Sequence, residues 1–252
     1  MRNRDEVKMI DGIILSFQVF SRIPLKKPVD FSNKNLKIAL GFLPILGLLI
    51  GSLLGLLLQW ANPKAPLVGG ALALTLYIIL TGGLHLDGLA DTADGFLSNA
   101  DPKKILDIMK DSLIGSFGSL TLILYCLFKF AFYTSFTENF IFTLAQVSFV
   151  SRLSALYVIK KGGLARPGGF GSVMKEALSD YKAFLFNLIL LAVLAYFDWR
   201  ILPAAFISLI LCELIIRMAS KKIGGLTGDL YGATIEINEL VALLVYWGLL
   251  WI

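Results

Sequence analysis

The chain carries little charge for its length. Of its 252 residues only 16% are Asp, Glu, Lys or Arg, while 57% are hydrophobic; a soluble domain has about 25% charged residues. This composition excludes an ordinary soluble domain and predicts an all-α, polytopic membrane bundle, folded as a single domain over residues 1–252. The length suits six or seven spans of about 20 residues each. The net charge of +5 fits basic loops on one side of a membrane, and we expect no nucleic-acid partner.

Cysteine and histidine are scarce. The two cysteines, Cys126 and Cys212, both lie within apolar runs, so we interpret them as small core residues and expect neither a disulfide nor a metal-binding thiol framework. His85 is the only histidine. The first residues lack the small-residue cleavage site of a secretory signal peptide. The apolar stretch from Val7 to Phe20 is short for a span, so it predicts an N-terminal helix at the membrane interface.

Apolar runs predict where the chain crosses the membrane. A short amphipathic helix outside the bilayer is expected at Pro102–Lys110, and the two runs that meet at Asp198-Trp199-Arg200 are short enough to form a thin hairpin. The predicted spans are Ile38–Trp60, Ala65–Leu84, Leu113–Phe136, Phe140–Ile159, Ala183–Phe197, Ile201–Ala219 and a last one that ends near Ile252.

Lysine and arginine are unevenly distributed between the predicted loops. With the N-terminus in the cytoplasm, the loops on the far side hold only Lys64 and Arg200, whereas the near side holds most of the basic residues, from Arg2 to Lys222. The positive-inside rule favours that orientation, with the C-terminus outside after seven crossings. The polar, glycine-rich stretches then all face the cytoplasm, which predicts a site for cytoplasmic substrates.

The most informative stretch is Gly82-Gly-Leu-His-Leu-Asp-Gly-Leu-Ala-Asp-Thr-Ala-Asp-Gly95, which directly follows an apolar run. Its aspartates Asp87, Asp91 and Asp94 would fall within roughly 60° of arc on a helix. Three like charges on one face repel each other, and a divalent cation relieves the repulsion. Because the ligands are all oxygens, we expect Mg²⁺, with Mn²⁺ as a substitute, rather than zinc. The alternative is a solvated acidic turn that complements a helix dipole.

A second stretch shares part of this pattern. Gly224-Gly-Leu-Thr-Gly-Asp229 repeats Gly-Gly-Leu-x-x-Asp, and at the two later offsets it has Ala233 and Glu236. One interpretation is that two acidic helix faces meet across a cleft, so that Asp229 and Glu236 complete the metal site of the first motif. The other is that Asp229 caps a helix and Glu236 pairs with a lysine.

Four charged residues lie inside apolar runs. A charge at membrane depth costs about 2.5–3.5 kcal/mol, so Arg152 and Lys129 are each interpreted either as a phosphate contact or as half of an ion pair. Glu213 and Arg217 are four residues apart and are expected to neutralise each other.

Other polar residues keep two interpretations each. Asp111 either caps the third span or adds a carboxylate to the site. Arg22 and Arg166 are phosphate contacts or ordinary loop cations, and the glycines around Arg166 suggest a mobile flap over a substrate. His85 is a hydrogen-bonding anchor or a general base.

Taken together, these residues resemble a known family. The acidic stretch is similar to the signature of cobalamin synthases, the adenosylcobinamide-GDP ribazoletransferases. The resemblance extends along the chain through Phe20-Ser-Arg-Ile-Pro24, Ile108-Met-Lys-Asp-Ser-Leu-Ile-Gly115, Val150-Ser-Arg152 and Gly225-Leu-Thr-Gly-Asp229. Ser21 stands where many relatives have threonine.

The resemblance implies a multi-pass enzyme of a prokaryotic plasma membrane that acts late in vitamin B12 synthesis. It would join adenosylcobinamide-GDP to α-ribazole or its 5′-phosphate, release GMP and require Mg²⁺. Asp87, Asp91 and Asp94 would be the catalytic metal ligands, with Asp229 and Glu236 completing the metal site. In the same scheme Arg152 would bind phosphate charge, and an aspartate or His85 would accept the hydroxyl proton.

Two other functions stay open. CDP-alcohol phosphotransferases also use clustered aspartates at a membrane surface, but their pattern Asp-Gly-x-x-Ala-Arg has an arginine after the first aspartate, whereas here Asp87-Gly-Leu-Ala is followed by Asp91. A cation transporter would need polar residues through the full membrane depth, and in the sequence they collect on one side. The oligomeric state, including a homo-oligomer, the number of metal ions and the preferred form of ribazole are also open.

Overall fold

The structure, a computed structural model, is a bundle of α-helices. It describes residues 4–135, 139–178 and 181–251, and only the backbone of residues 4–8 and 251. Within those ranges there is no β-strand, which confirms the predicted all-α fold class. The helices are α1 Arg4–Phe20, α2 Asn33–Ala61, α3 Pro66–Thr81, α4 Leu84–Leu97, α5 Pro102–Ile108, α6 Ser116–Ser135, α7 Phe140–Lys161, α8 Phe170–Ala177, α9 Lys182–Phe197, α10 Ile201–Ile223 and α11 Gly228–Gly248. The predicted span ends Phe136 and Ile252, and Arg2, lie outside the described residues.

Several helices can cross a membrane. In the described part of the chain, α2, α6, α7 and α10 are long and apolar enough, and the bent pairs α3–α4 and α8–α9 raise the number to six if each pair is one span. The helix α10 is longer than its predicted run, so the second half of the expected thin hairpin is long enough to span. The helix α11 is not among these candidates; its middle carries Glu236, Asn238 and Glu239, and the seventh predicted crossing falls on it.

The longest packed interface joins α2 to α7. Gly47, Gly51 and Gly55 lie one turn apart on α2, and a Cβ atom on any of them would lie only 2.1–2.5 Å from the α7 backbone. Small residues at this spacing let two helix backbones approach closely, which is how helices associate where lipid replaces water. This contact builds the centre of the bundle.

The α3–α4 corner turns the acidic helix across the end of the bundle. Gly82 and Gly83 have φ angles of 65° and 69°, in the left-handed region that glycine adopts without a steric cost. The two helices meet at 91°. The acidic helix α4 therefore leaves the direction of the apolar helix α3 and runs beneath the start of α11.

Consecutive long helices alternate in direction, which gives the bundle two distinct ends. The α3–α4 corner and the first turns of α6, α8 and α11 meet at one end. Asn139, Asp198 and Arg200 line a pocket at the other.

The carboxylate of Glu213 on α10 accepts hydrogen bonds from Lys161 and Tyr157 of α7. Its close partners are therefore on the neighbouring helix and not at Arg217, as had been predicted.

Candidate active site

The two Gly-Gly-Leu-x-x-Asp motifs meet where α4 crosses α11. A Cβ atom on Gly88 would lie 2.7 Å from the backbone oxygen of Asp229, and one on Gly232 would lie 3.2 Å from the Cα atom of His85. A side chain at position 88 would collide with the Asp229 backbone, and one at position 232 would make a tight contact. The crossing places Asp87 of the first motif and Asp229 of the second on the same cavity, as the two-face interpretation predicted for these residues.

That cavity has a volume of about 160 Å³ and is mostly apolar. Its walls come from α1, α2, α4, α7, α8 and α11, with Phe20, Leu43, Ala155, Ile159 and Ile235 among the apolar residues. Asp87, Asp229, His85 and Tyr231 contribute the charged or titratable groups. A small apolar chamber with a few polar groups is typical of a ligand site.

A second, more polar cavity adjoins the first. It has a volume of about 130 Å³, is lined by Arg166 and by glycines of two loops, and shares Phe170, Gly228 and Asp229 with the apolar cavity. The Arg166 Nη1 atom is buried and has no hydrogen-bond partner in the protein. The first turns of α8 and α11 also meet here, since a Cβ atom on Gly171 would lie 3.0 Å from the backbone nitrogen of Gly228. A guanidinium and two helix N-termini favour an anion.

The glycine loop around Arg166 is fastened at its base. Leu226 donates a backbone hydrogen bond to Gly163 (2.7 Å), and Ala165 donates one to Leu226 (3.0 Å). The predicted flap is thus joined to the second motif, and its end folds into the helix α8, which the sequence did not predict. Only the segment between Arg166 and Gly169 extends beyond this anchored part.

Charge is concentrated beside the cavities. Asp91 follows Asp87 by one turn of α4. By itself, α4 is not one of the four helices that are long and apolar enough to span a membrane. Burial, together with the nearby carboxylates of Asp87, Asp229 and Asp94, raises the pKa of Asp91 to about 7. The repulsion predicted from the spacing is therefore present in the fold.

Asp94 has a different environment from the other two aspartates of its motif. Its carboxylate is buried and accepts hydrogen bonds from the backbone nitrogens of Gly115 (2.7 Å) and Gly118 (2.9 Å) at the start of α6. A Cβ atom on either glycine would collide with this carboxylate. Asp94 thus satisfies orphan amides at a helix start, and its assignment as a metal ligand stays a prediction.

The donor chemistry of the cleft fits a hard divalent cation. Asp87, Asp91 and Asp229 supply carboxylate oxygens, which Mg²⁺ and Mn²⁺ prefer. In the positions seen here, no three Asp, Glu, His or Cys side chains of the described residues converge closely enough to hold an ion. Uncompensated carboxylates separate because they repel, so ligation would require rotation of these exposed or half-buried side chains. We therefore keep the metal as a proposal.

Glu236, the predicted fifth ligand, lies apart from the aspartates. Seven residues along a helix correspond to about 10 Å, so Glu236 is about 10 Å deeper along α11 than Asp229. It is fully buried and accepts hydrogen bonds from the hydroxyl groups of Tyr77 (2.6 Å) and Tyr125. Its carboxylate is thus engaged inside the bundle, which agrees better with the predicted alternative of a structural pair than with a shared ion.

Lys129 and Arg152 belong to the same buried network. The Lys129 Nζ atom lies 2.9 Å from a Glu239 oxygen and 3.9 Å from Glu236, and Arg152 pairs with the other Glu239 oxygen. Both cations are buried and line neither cavity. The structure thus places them as ion-pair partners, the second of the two interpretations, and substrate contact by either remains a prediction. These groups lie deep in the bundle, so the expectation that polar residues collect on one side does not hold for them.

His85 joins the network to the apolar cavity. Its ring lines the cavity, and its Nδ1 atom lies 3.7 Å from the Glu236 carboxylate, too far for a hydrogen bond. Nδ1 is buried without a hydrogen-bond partner. The position is compatible with both predicted roles, an anchor and a general base.

Arg22 and Asp111 line neither cavity. Arg22 donates a backbone hydrogen bond to Leu80 (2.7 Å), and its side chain packs over Gly82, where a Cβ atom would lie 2.3 Å from it. The N-terminal motif therefore covers the α3–α4 corner. Asp111 is exposed and accepts a hydrogen bond from the backbone nitrogen of Leu113 (3.0 Å), which stabilises the turn before α6.

Two cavity residues had not been singled out in the sequence. Tyr231 lines the apolar cavity, and its buried hydroxyl has no hydrogen-bond partner in the protein. Phe170 lies between the two cavities. Phe170 stands next to a glycine of the Arg166 loop, and Tyr231 follows Asp229 of the second motif by two residues. Nothing local distinguished either residue from a core aromatic. A buried hydroxyl without a partner is expected to bond to a ligand.

Comparison with known proteins agrees with this architecture. The family described as cobalamin-5-phosphate synthase matches residues 12–247. An adenosylcobinamide-GDP ribazoletransferase of Treponema denticola is 36% identical over 92% of this chain and 95% of its own. Those of Desulfitobacterium hafniense (37%; 92% of this chain, 94% of the relative) and Caldanaerobacter subterraneus (35%; 94% and 98%) are similar. No solved structure matches.

These matches cover nearly the whole chain and include both acidic motifs, the Arg166 loop and the buried network. The resemblance inferred from the motifs is confirmed. The chain belongs to the cobalamin-5-phosphate synthase family.

Proposed function

We propose that this chain is a membrane-embedded transferase that joins adenosylcobinamide-GDP to α-ribazole or its 5′-phosphate and releases GMP. Family membership supports the activity, because the curated relatives carry the name adenosylcobinamide-GDP ribazoletransferase. The observation that carries the proposal is the convergence of Asp87 and Asp229 on an apolar cavity beside a polar, glycine-lined one that contains Arg166. The two cavities differ in polarity, which suits the binding of two chemically different substrates.

The diphosphate of the first substrate belongs in the polar cavity. There the buried Nη1 atom of Arg166 and the first turns of α8 and α11 would bind its oxygens. Arg22 stands at the neighbouring corner and would add positive charge. The bulky cobinamide part would remain outside, since the cavity volume of about 130 Å³ holds no more than the diphosphate region.

The apolar cavity suits the benzimidazole base of ribazole. Its volume of about 160 Å³ and its aliphatic and aromatic walls favour a flat, apolar ring system over a sugar or phosphate. Tyr231 would donate its free hydroxyl to a polar atom of the nucleoside. In this orientation the ribazole hydroxyl emerges next to Asp87 and Asp229.

The reaction forms one phosphorus–oxygen bond and breaks another. The ribazole hydroxyl attacks the phosphorus that carries cobinamide, and GMP leaves with the bridging oxygen of the diphosphate. A carboxylate of the cleft or His85 takes the hydroxyl proton. Arg166 stabilises the charge on the transferred and leaving phosphates.

A divalent cation fits the same cleft. Asp87, Asp91 and Asp229 would hold Mg²⁺ or Mn²⁺, which would supply the positive charge needed beside a diphosphate. We expect activity to disappear in excess chelator and to return with Mg²⁺ or Mn²⁺ but not with Ca²⁺, because the larger ion tolerates a looser ligand shell.

Purified protein in detergent tests the activity directly. Incubation with adenosylcobinamide-GDP, α-ribazole and Mg²⁺ should give GMP and the joined cobalamin product in equal amounts by mass spectrometry, and Asp87→Asn should give neither. GMP that appears without ribazole would indicate a hydrolase. Absence of both products from a folded sample would contradict the proposal.

A further inference from the structure

A neutral hydroxyl group lines the apolar cavity without a partner in the protein. The ring of Tyr231 is buried and forms part of the cavity wall, and its hydroxyl oxygen makes no hydrogen bond to the protein. The large majority of buried side-chain polar atoms do have a partner, and a buried hydroxyl without one costs free energy. A phenol can donate its proton to an acceptor. The cavity therefore contains a hydrogen-bond donor that the fold itself does not use.

The other polar side chains of this cavity have different surroundings. The His85 Nδ1 atom is also buried without a hydrogen bond, but it lies 3.7 Å from the Glu236 carboxylate and so is directed toward the buried network. Asp87 and Asp229 carry carboxylates, which only accept hydrogen bonds when they are ionised. Among the side chains that line this cavity, Tyr231 thus offers the neutral donor to a ligand.

The position of Tyr231 along α11 determines which part of a ligand it meets. The cavity is lined on this helix by Gly228, Tyr231, Gly232 and Ile235, which are three or four residues apart and so share one helix face. At 1.5 Å per residue, Tyr231 lies about 3 Å beyond Asp229 and about 6 Å before Ile235. The hydroxyl-bearing residue therefore stands between the acidic end of the cavity and its deep end.

The deep end is apolar. It is lined by Leu43, Ala155 and Ile235, each more than one turn inside its helix. The benzimidazole base has a six-membered carbon ring, which suits these walls, and a five-membered ring that carries the sugar. With the ribose hydroxyl at the acidic end, the five-membered ring lies at the depth of Tyr231. That ring has one nitrogen bonded to ribose and one free nitrogen, which has a lone pair and no hydrogen.

We propose that Tyr231 determines the specificity for the base: its hydroxyl donates a hydrogen bond to the free ring nitrogen and so selects ribosides whose base has an acceptor there. This selection rests on the proposed function, because it concerns the nucleoside that attacks the diphosphate. A base with a C–H group at that position would leave the buried hydroxyl unpaired, and a site built to hydrogen-bond its substrate rejects such an analogue. The apolar walls alone would not distinguish the two, since their shapes are the same.

Competition between two nucleosides of matched shape tests the proposal. α-Ribazole and the corresponding indole riboside, in which C–H replaces the free nitrogen, are mixed with adenosylcobinamide-GDP and Mg²⁺, and the two joined products are quantified by mass spectrometry. Wild-type protein should favour α-ribazole by about tenfold or more in kcat/KM, and Tyr231→Phe should bring the ratio to within about twofold of one. Both nucleosides compete for the same enzyme molecules, so a smaller folded fraction would leave the ratio unchanged.

Tyr196→Phe is the matched control, because it removes a hydroxyl from an exposed tyrosine and should keep the wild-type ratio. Equal use of both nucleosides by the wild type, or an unchanged preference in Tyr231→Phe, would overturn the proposal while the transferase activity stands. Absence of both products from folded protein would overturn the proposed function and this specificity with it.

Discussion

At the scale of single residues, charged side chains occur in two kinds of environment. Deep in the bundle, Glu239 is paired with Lys129 and Arg152, as a buried charge requires. In the cleft, Asp87 and Asp229 line one cavity, and burial together with the nearby carboxylates raises the pKa of Asp91 to about 7. A carboxylate whose pKa is strongly raised by burial and by neighbouring acids is typical of a functional site.

Asp91→Asn should stabilise the protein when no cation is present. Because the pKa of Asp91 is higher in the folded state than in the unfolded one, its ionisation reduces the free energy of unfolding as the pH rises from about 4 to about 7. In chelator, the wild-type melting temperature should therefore fall over that interval more than that of Asp91→Asn. Each kcal/mol corresponds to about 2–4 °C.

Thermal melts at pH 5 and pH 8 provide the measurement. At pH 8 the variant should melt above the wild type in chelator, and added Mg²⁺ should raise only the wild-type melting temperature. A variant that melts lower than the wild type at both pH values would show that Asp91 is a stabilising structural acid.

Ala155→Leu tests the role of the apolar cavity. Ala155 is buried and lines it, so a leucine would fill space that we assign to the benzimidazole base. The KM for α-ribazole should rise about tenfold or more, since the ring must be displaced or the wall must move. The KM for adenosylcobinamide-GDP should stay unchanged in the same steady-state assay.

Ala71→Leu is the matched control, because Ala71 is exposed on the outer face of α3. It should leave both KM values as they are. Equal increases in both KM values for Ala155→Leu would mean that the cavity serves the fold as a whole rather than one substrate.

At the scale of helices, α4 and α11 begin in the same way. Each follows a glycine in the left-handed conformation, Gly82 or Gly224, and each carries an aspartate in its first turn. The crossing through Gly88 then brings the two acids to one cavity. Helix packing through glycine thus determines the geometry of the site.

Gly88→Ala should separate the two acidic helices. Its Cβ atom would lie 2.7 Å from the Asp229 backbone oxygen, so α11 must shift. Turnover should fall at least about tenfold, because small displacements of catalytic groups are costly, and the Mg²⁺ concentration for half-maximal activity should rise. Gly163→Ala, where no atom lies within 4 Å of the new Cβ, should leave both quantities unchanged. A fully active Gly88→Ala enzyme would contradict this.

Patterns local in the sequence predicted much of the helical structure. Helical spacing correctly placed the aspartates on α4, and the apolar runs located most of the long helices, because both depend on residues near in sequence. The partners of Asp94, Lys129, Arg152 and Glu236 could not be predicted, since they belong to helices distant in sequence. A charge in an apolar run indicates that a partner is needed, but it does not identify that partner. The helix α8 was missed because the glycines before it and Gly171 within it resemble a loop.

At the scale of the whole molecule, the two ends of the bundle differ in character. The acidic helices, Arg22 and the Arg166 loop are at one end, and Lys64 and Arg200 are the basic residues at the other. The charge asymmetry predicts that the active-site end faces the cytoplasm. Both substrates would then enter from that side.

Cysteine labelling tests this orientation in intact cells. In a chain with Cys126 and Cys212 replaced by alanine, Lys64→Cys and Trp199→Cys should react with an impermeant maleimide, while Ala100→Cys and Ser172→Cys should react only after permeabilisation. All four positions are in segments between or at the ends of helices. Labelling of position 100 or 172 from outside would reverse the orientation.

The central claim is that both Gly-Gly-Leu-x-x-Asp motifs serve one Mg²⁺-dependent transfer site. The most direct measurement is a Mg²⁺ titration of GMP release by purified Asp229→Asn, together with its melting curve and with Glu236→Gln for comparison. We predict lower turnover for Asp229→Asn and a Mg²⁺ midpoint raised about tenfold or more, with little change in melting temperature. Glu236→Gln, which loosens a buried network, should melt at a lower temperature and keep the wild-type midpoint. The helix α11 is capped by Thr227 rather than by Asp229. A lowered melting temperature of Asp229→Asn with an unshifted Mg²⁺ midpoint would contradict the account, because Asp229 would then only stabilise the first turn of α11.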